Sequence, residues 1–430
     1  MQLVILFFYR MKKIFCGALL AFLGTAAYAQ EVSTSPFSSF GVGELLFDNN
    51  IEQAGMGGIS ALTMSPFHSS ANFSNPAANQ SLNLTTFEFG TNTHASQFKD
   101  ASSSSKKSST YISNVSLAFP IGSKARAGFG FQPYSAIGYE VATVTSNNDV
   151  TYQNAFKGDG GLNTVHVMGS YNITNQFSLG VRANYLFGDL ERSQIISTQG
   201  LALMTDYNYK SKINGLQFTL GGYYSKRIGE NKKLDIGATY TLGSNLNAKI
   251  TDMTSTYTMV DMVPGNIDTI QFKKVYGDLK LPQSVTFAAA LRKDLHWMIG
   301  AQLDWGDWAA YEMNEDDNSM IDTRFRASVG GYWIPDFNSY KSYFERVVYR
   351  LGGFYEATPL QFGPEGVKKY GVTVGFGLPI GKDRDASMLN LAVELGQQGN
   401  TNAAVLKENY ANIKLGFTLN DIWFRKRVID

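Results

Sequence analysis

From Leu84 to Asn420, apolar residues alternate with small or polar ones at a period of two, the spacing at which successive side chains leave a strand on opposite faces. In residues 370–380 the even positions are Tyr370, Val372, Val374, Phe376, Leu378 and Ile380, while Gly371, Thr373, Gly375 and Gly377 occupy odd ones. One face is apolar and the other nearly bare. The same contrast sets Phe177, Leu179, Val181, Tyr185 and Phe187 against Ser178, Gly180, Arg182 and Asn184. It returns at Trp297, Ile299, Ala301, Leu303 and Trp305, and at Ile413, Leu415, Phe417 and Leu419. A soluble sandwich alternates too, so composition and connection lengths must separate the two.

Both point to a bilayer. The chain carries 29 Phe, 23 Tyr and 42 Gly with only 17% charged residues, the composition of strands with a lipid-facing apolar side and a small or polar inner side. Strand-length segments run from 84–98 and 109–120 to 386–398 and 407–420, about fourteen in all. Tight polar turns at Gly122-Ser123-Lys124, Thr174-Asn175, Gly229-Glu230-Asn231, Lys293-Asp294 and Lys382-Asp383-Arg384 alternate with long connections at 142–160, 193–212 and 250–279. The reading is all-β: a transmembrane outer-membrane β-barrel of about 14 antiparallel strands. Short turns belong to the periplasm and long loops to the outside, which places both termini in the periplasm of a Gram-negative cell. The connection at 336–345 is longer than this scheme expects and carries a short helical turn around Tyr340 to Arg346.

Before the alternation begins, the chain divides in two. Lys12 and Lys13, the apolar run Ile14 to Leu23 and the small-residue site Ala27-Tyr28-Ala29 read as a signal peptide over 1–29, with 1–10 an upstream extension ahead of Met11. The single cysteine, Cys16, lies inside it, so the mature chain has no thiol for disulfides, catalysis or metal binding. No later stretch is long and apolar enough for a helix to span a bilayer, and a net charge of +1 offers no surface for nucleic acid. Residues 30–83 lack alternation, yet Phe37, Phe40, Leu45, Leu46, Phe47 and Phe73 make them too apolar for a tail. They are expected to fill the lumen as an N-terminal plug or hatch, leaving 84–430 as the barrel.

Ser35-Pro36-Phe37, Phe40-Gly41-Val42-Gly43, Gly55-Met56-Gly57-Gly58 and then Asn75-Pro76-Ala77-Ala78 follow in an order that resembles the hatch of the FadL/TodX family of outer-membrane hydrophobic-compound transporters. Phe177-Ser178-Leu179-Gly180-Val181, Trp305-Gly306-Asp307-Trp308 and Leu419-Asn420-Asp421-Ile422-Trp423-Phe424 look like its Bacteroidota-type branch. The resemblance implies a fourteen-strand barrel with a hatch, carrying long-chain fatty acids or other hydrophobic molecules inward without its own energy source. Asn75, Pro76, Ala77 and Ala78 are its most specific hatch residues. The end Arg425-Lys426-Arg427-Val428-Ile429-Asp430 departs from the terminal aromatic of most barrels, a role left to Phe417 or Phe424.

Three groups of residues are candidate sites. The third strand holds Gly128, Gly130, Pro133 and Gly138; proline cannot donate to a ladder and glycine weakens one, so a kink or bulge is expected there. In the resembled family such a kink opens the wall sideways, which makes Gly130, Gln132, Pro133, Tyr134 and Ser135 candidates for a lateral opening, against the alternative of an ordinary bulge. The long outer connections carry Leu201, Leu203, Met204, Met259 and Met262, apolar and adaptable; they suit a ligand-binding groove at the mouth or, equally, a self-packed cap. Arg324 and Arg326 lie on one strand face with no obvious local partner and are candidates to hold a substrate carboxylate. The other inward charges, among them Glu88, Arg182, Asp235, Arg292, Asp304, Arg350, Glu394 and Lys414, are expected to pair with each other or with the plug.

His68, His94, His166 and His296 lack metal-ligand spacing, and no nucleophile elbow, phosphate loop or dinucleotide fingerprint occurs. No enzymatic activity, cofactor or metal is expected. Trp297, Trp305, Trp308, Trp333 and Tyr185 read as girdle or lipid-facing aromatics. The leading reading is a passive channel for hydrophobic compounds such as fatty acids, gated by the hatch. The alternative is a non-transporting FadL-like barrel that acts as structural or accessory subunit of an outer-membrane secretion or assembly complex, with a protein partner in the membrane.

Overall fold

In the computed structural model the described residues are 33–46, 49–63, 65–66, 70–99, 104–147, 150–260, 263–313, 323–362, 365–380, 387–399 and 407–421. The expected signal peptide, Phe47, His68, Met262, the turn Lys382-Asp383-Arg384 and the segment beyond Asp421 lie outside them.

Among the described residues fourteen antiparallel strands follow one another: β1 (Thr85–Lys99), β2 (Ser104–Ile121), β3 (Ala125–Asn147), β4 (Val150–Asn172), β5 (Phe177–Thr198) and β6 (Leu203–Ile228). β7 (Lys232–Thr241, resuming at Ser244–Val260) and β8 (Val263–Leu281, resuming at Ser284–Lys293) are each interrupted once. β9 (Trp297–Gly306), β10 (Arg324–Trp333), β11 (Val348–Phe362), β12 (Glu365–Ile380), β13 (Ser387–Gln398) and β14 (Lys407–Asp421) complete the set. Each pairs with its neighbours in sequence, and β14 pairs with β1 from Lys407↔Lys99 to Asp421↔Thr85. The sheet therefore closes on itself into a ring.

Period-two patterning sets the two faces. Outward positions such as Phe129, Val167, Leu179, Phe287, Ile299, Leu303, Val329, Leu351 and Val372 are exposed, as side chains meeting lipid must be. Trp297 and Trp305 stand at opposite ends of β9, about 26 Å apart at the rise of a strand, close to the height of the apolar band of such barrels. Trp305 and Trp333 face outward, but Trp308 does not. After Gly306 the chain turns in through Trp308–Ala310, and Trp308 is buried, stacked on Tyr311 at 6.0 Å. Its place just past the strand end breaks the parity on which the girdle expectation relied.

The long connections are not loops. β3 and β4 have 23 residues each, β5 has 22 and β6 has 26, whereas about 9–11 cross a bilayer. Residues 142–160, 193–212 and 250–279 thus lie largely in hairpins that prolong the wall, and β3–β8 rise beyond the belt as a six-stranded crown. β9 and β10, with ten residues each, stop near the rim. Mixed polar and β-branched residues without clean alternation hid the crown strands, since both of their faces meet water. At the short-turn end, Phe344–Arg346 forms the helical turn expected between β10 and β11.

Candidate functional site

The segment from Ser33 to Leu82 touches strands around the whole ring, from β3, β4, β5 and β6 to β12, β13 and β14, and its apolar side chains Phe37, Val42, Met56, Ile59 and Leu62 are buried. Local caps shape it. Asn50 and Gln53 form a capping box over the helical turn Ile51–Ala54, a device that satisfies two orphan donors reciprocally. Asn75 caps the turn Pro76–Asn79: its side-chain oxygen accepts from Ala77 N at 3.1 Å, while its Nδ2 donates to Ala61 O at 2.8 Å and to Gly222 O on β6 at 3.2 Å. Ser178 of β5 donates to Ala77 O at 2.8 Å. The Asn-Pro-Ala-Ala element is therefore a clamp between plug and wall.

The wall is bare where the plug's backbone meets it. A Cβ on Gly180 would lie 2.7 Å from Ala77 N and Pro76 C, and one on Gly237, Gly330 or Gly352 would run into main-chain atoms of Ala61, Met56 or Gly57. Only glycine permits so close an approach, so the inner-face glycines are seats for the plug.

Between β2 and β3 the wall has a seam. Their pairing runs from Ile121↔Ala125 to Val115↔Phe131 and stops, while β3 continues against β4 with a register shift between Pro133 and Ser135. The missing ladder partner is replaced from inside: Glu44 and Leu45 pair with Ala136 and Ser135, and Leu46 N donates to Tyr134 O at 3.0 Å. Ser38 Oγ accepts from Gly138 N at 3.0 Å, and Ser135 Oγ donates to Val42 O at 2.8 Å. Arg192 of β5 reaches Ser39 O and Gly41 O. The strap from Ser35 to Leu46 is thus stitched along the seam. Of the lateral-opening candidates, Gly130 lies just below it, and Gln132, Pro133, Tyr134 and Ser135 lie on it; Gln132, Pro133 and Tyr134 also line a cavity.

Two lumenal cavities flank the strap, of about 110 and 170 Å³. The first is lined by Arg324, Arg326, Glu356, Lys369, Glu394 and Lys414 together with Phe40, Val42 and Trp308 of the interior. Arg182, Asn184, Gln217 and Asp304, together with Leu45, Leu46, Leu186 and Trp308, surround the second. Lys369 pairs with Glu44 of the strap at 3.1 Å, Lys414 donates to Asn49 at 3.1 Å, and Arg350 pairs with Glu52 at 3.2 Å. Arg292 pairs with Asp235. These lumenal charges pair with one another or with the plug, as their mixed signs suggested.

Arg324 and Arg326 have a partner the sequence did not reveal. Glu356 on the adjacent β11 accepts from Arg324 Nε at 2.6 Å and from Arg326 Nη1 at 2.9 Å. Arg326 also donates to Gly57 O at 3.1 Å and lies 3.8 Å over the Phe354 ring. The expectation of two cations lacking a local partner is corrected, because strand register places Arg326 opposite Glu356. Leu203, Met204 and Met259 come together on the crown, where Leu203 pairs with Thr258, but Leu201, Leu203 and Met259 are exposed. They do not enclose a groove.

A closed fourteen-strand barrel with an apolar belt and an internal N-terminal segment is the fold of an outer-membrane barrel, and it is shared with proteins of the FadL/TodX type. Solved structures agree. The toluene transporter TodX of Pseudomonas putida aligns with 88% of this chain and 100% of its own at a TM-score of 0.58 and 16% identity. A FadL homologue of Pseudomonas aeruginosa covers 88% and 99% at 0.59 and 11%, and the Ralstonia pickettii toluene transporter TbuX 90% and 99% at 0.53 and 12%. At such identities the likeness establishes the fold. No curated protein sequence matches the chain. The BamG family model matches residues 11–430; the chain belongs to the BamG family.

Proposed function

We propose that this protein is a permanently plugged barrel serving as a structural or accessory subunit of an outer-membrane assembly or secretion complex. One observation carries the reading: the largest run of exposed apolar side chains outside the belt stands on the crown, not along a path through the lumen. A conduit for an acyl chain requires a continuous apolar path through the lumen, whereas both cavities beside the strap mix charged, amide and hydroxyl side chains with apolar ones such as Leu45, Leu46 and Trp308. The crown, by contrast, bares Val144, Leu201, Ile267, Ile270, Phe272 and Tyr276 well clear of the belt, and exposed apolar surface in water marks interaction sites. The function is non-enzymatic and needs no cofactor. Residues 1–29 serve as signal peptide, 30–83 as plug and 84–430 as barrel, with the short-turn end and both termini in the periplasm.

Gentle extraction of the tagged protein from its native membrane, followed by mass spectrometry of proteins and lipids, tests this. A stoichiometric protein partner supports the subunit reading. Saturable retention of fatty acid or an aromatic hydrocarbon by a barrel free of partners would overturn it.

The seam favours a second reading, uptake of hydrophobic compounds such as fatty acids, with the strap as hatch and lateral exit into the membrane between β2 and β3. The transporters with which the fold is shared are named for toluene. On that reading Pro133→Val, which restores a strand former at the irregularity, abolishes uptake; unchanged uptake removes the lateral exit.

A further inference from the structure

The connection from β10 to β11, residues 334–347, is longer than the turns at Gly122, Thr174, Gly229 and Asp294 at the same end of the barrel, and neither reading above uses it. It straddles the lip of the wall. Its first half turns inward: Ile334 is fully buried, Ser339 is buried, and Phe337 packs on the cluster that contains Met56 and Tyr332. Its second half leans outward. The Tyr343 hydroxyl donates to Pro379 O at 3.0 Å, and the Phe344 carbonyl accepts from the Tyr349 hydroxyl at 3.1 Å. Tyr349 belongs to a row of cross-strand neighbours on β9–β12, Trp297, Trp333, Tyr349 and Phe376, with ring centroids 5.9 and 6.0 Å apart along Trp333–Tyr349–Phe376. This row ends the lipid-facing belt. Directly beyond it Tyr340 is 87% and Phe344 71% exposed, Lys341 is exposed, and Arg346 lies 5.4 Å from the Tyr343 ring centroid.

We propose that this turn is a membrane-interface anchor whose partner is the phosphate-bearing head-group layer of the bilayer. Tyr340 and Phe344 enter that layer, and Lys341 and Arg346 pair with its phosphates. Continuity decides the partner: the patch extends a surface that already faces lipid, and it combines aromatic rings with cations, the side chains that settle at a membrane–water boundary. A free turn over the lumen would need no aromatic residues outside the wall. The inner foot fixes the turn to the plug-filled interior, so the outer foot is held at a constant depth.

The full chain carrying Cys16→Ser and Tyr340→Cys, labelled with a polarity-sensitive fluorophore, is placed in vesicles of phosphatidylethanolamine and phosphatidylglycerol. Glu230→Cys, in the tight turn between β6 and β7 at the same end, serves as reference. The label at 340 should emit to the blue of that at 230, resist quenching by aqueous acrylamide and be quenched by a nitroxide lipid labelled near its head group. Adding Lys341→Glu and Arg346→Glu should reduce the blue shift in these vesicles more than in phosphatidylcholine. Equal acrylamide quenching at the two positions would overturn the proposal. So would protection at 340 that occurs in native membranes but not in the vesicles, since a protein would then cover the turn.

Discussion

Glu356 shows how much of this interior is decided by single contacts. It is buried and accepts from both Arg324 and Arg326, so removing it leaves two cations without their carboxylate. Glu356→Ala should lower stability by about 3–5 kcal/mol, read as a fall in the urea midpoint of the reconstituted barrel; an unchanged midpoint would mean that water or another carboxylate replaces it. The two arginines were legible as inward-facing because parity gives the face of a strand. Their partner was not, since opposition across strands depends on register, and Glu356 is thirty residues away from Arg326. The glycine seats divide the same way. Small inner-face residues were visible as a pattern, but that Gly352 abuts the backbone of Gly57 could come only from the packed plug. Gly352→Val forces the plug from its seat, so its signature is new protease cleavage within residues 33–83 while the barrel stays intact.

Among elements, the strands whose two faces meet different solvents could be read and the others could not. Belt strands face lipid on one side and the lumen on the other, so their alternation is sharp; all fourteen were found, along with the turns at Gly122, Thr174, Gly229 and Asp294. The outer halves of β4, β6 and β8 face water on both sides and read as loops. The strap was unreadable for another reason: Glu44 and Leu45 form a strand only because β3 offers them an edge. The belt itself makes a quantitative prediction. Ala301 is exposed midway between Trp297 and Trp305 on β9, so Ala301→Arg places a charge near the bilayer centre. It should cost about 2–4 kcal/mol in folding measured in vesicles, and little in a detergent micelle that can deform around it. Equal losses in both media would place Ala301 outside the belt.

At the scale of the whole molecule, the crown and the lumen compete as the seat of function, and they can be separated. On the subunit reading, Ile270→Asp with Phe272→Asp should detach the partner from the crown while the belt still folds into the membrane; retention of the partner would move the interface elsewhere. The same pair of changes should leave hydrocarbon or fatty-acid retention unchanged, because neither side chain lines the lumenal cavities. The barrel class and its strand count were legible from alternation and composition. Which surface carries the function was not, because that depends on where apolar residues stand relative to the belt.

The closure of β14 onto β1 also orders events during biogenesis. The segment that fills the lumen leads the chain, and the strand that shuts the ring comes last, so every glycine seat from Gly180 to Gly352 emerges while the cylinder is still an open curl. The wall can therefore be laid down around its contents strand by strand, with no need to thread fifty residues into a finished tube. A chain truncated before Lys407 should then accumulate as an unclosed sheet that already holds its plug.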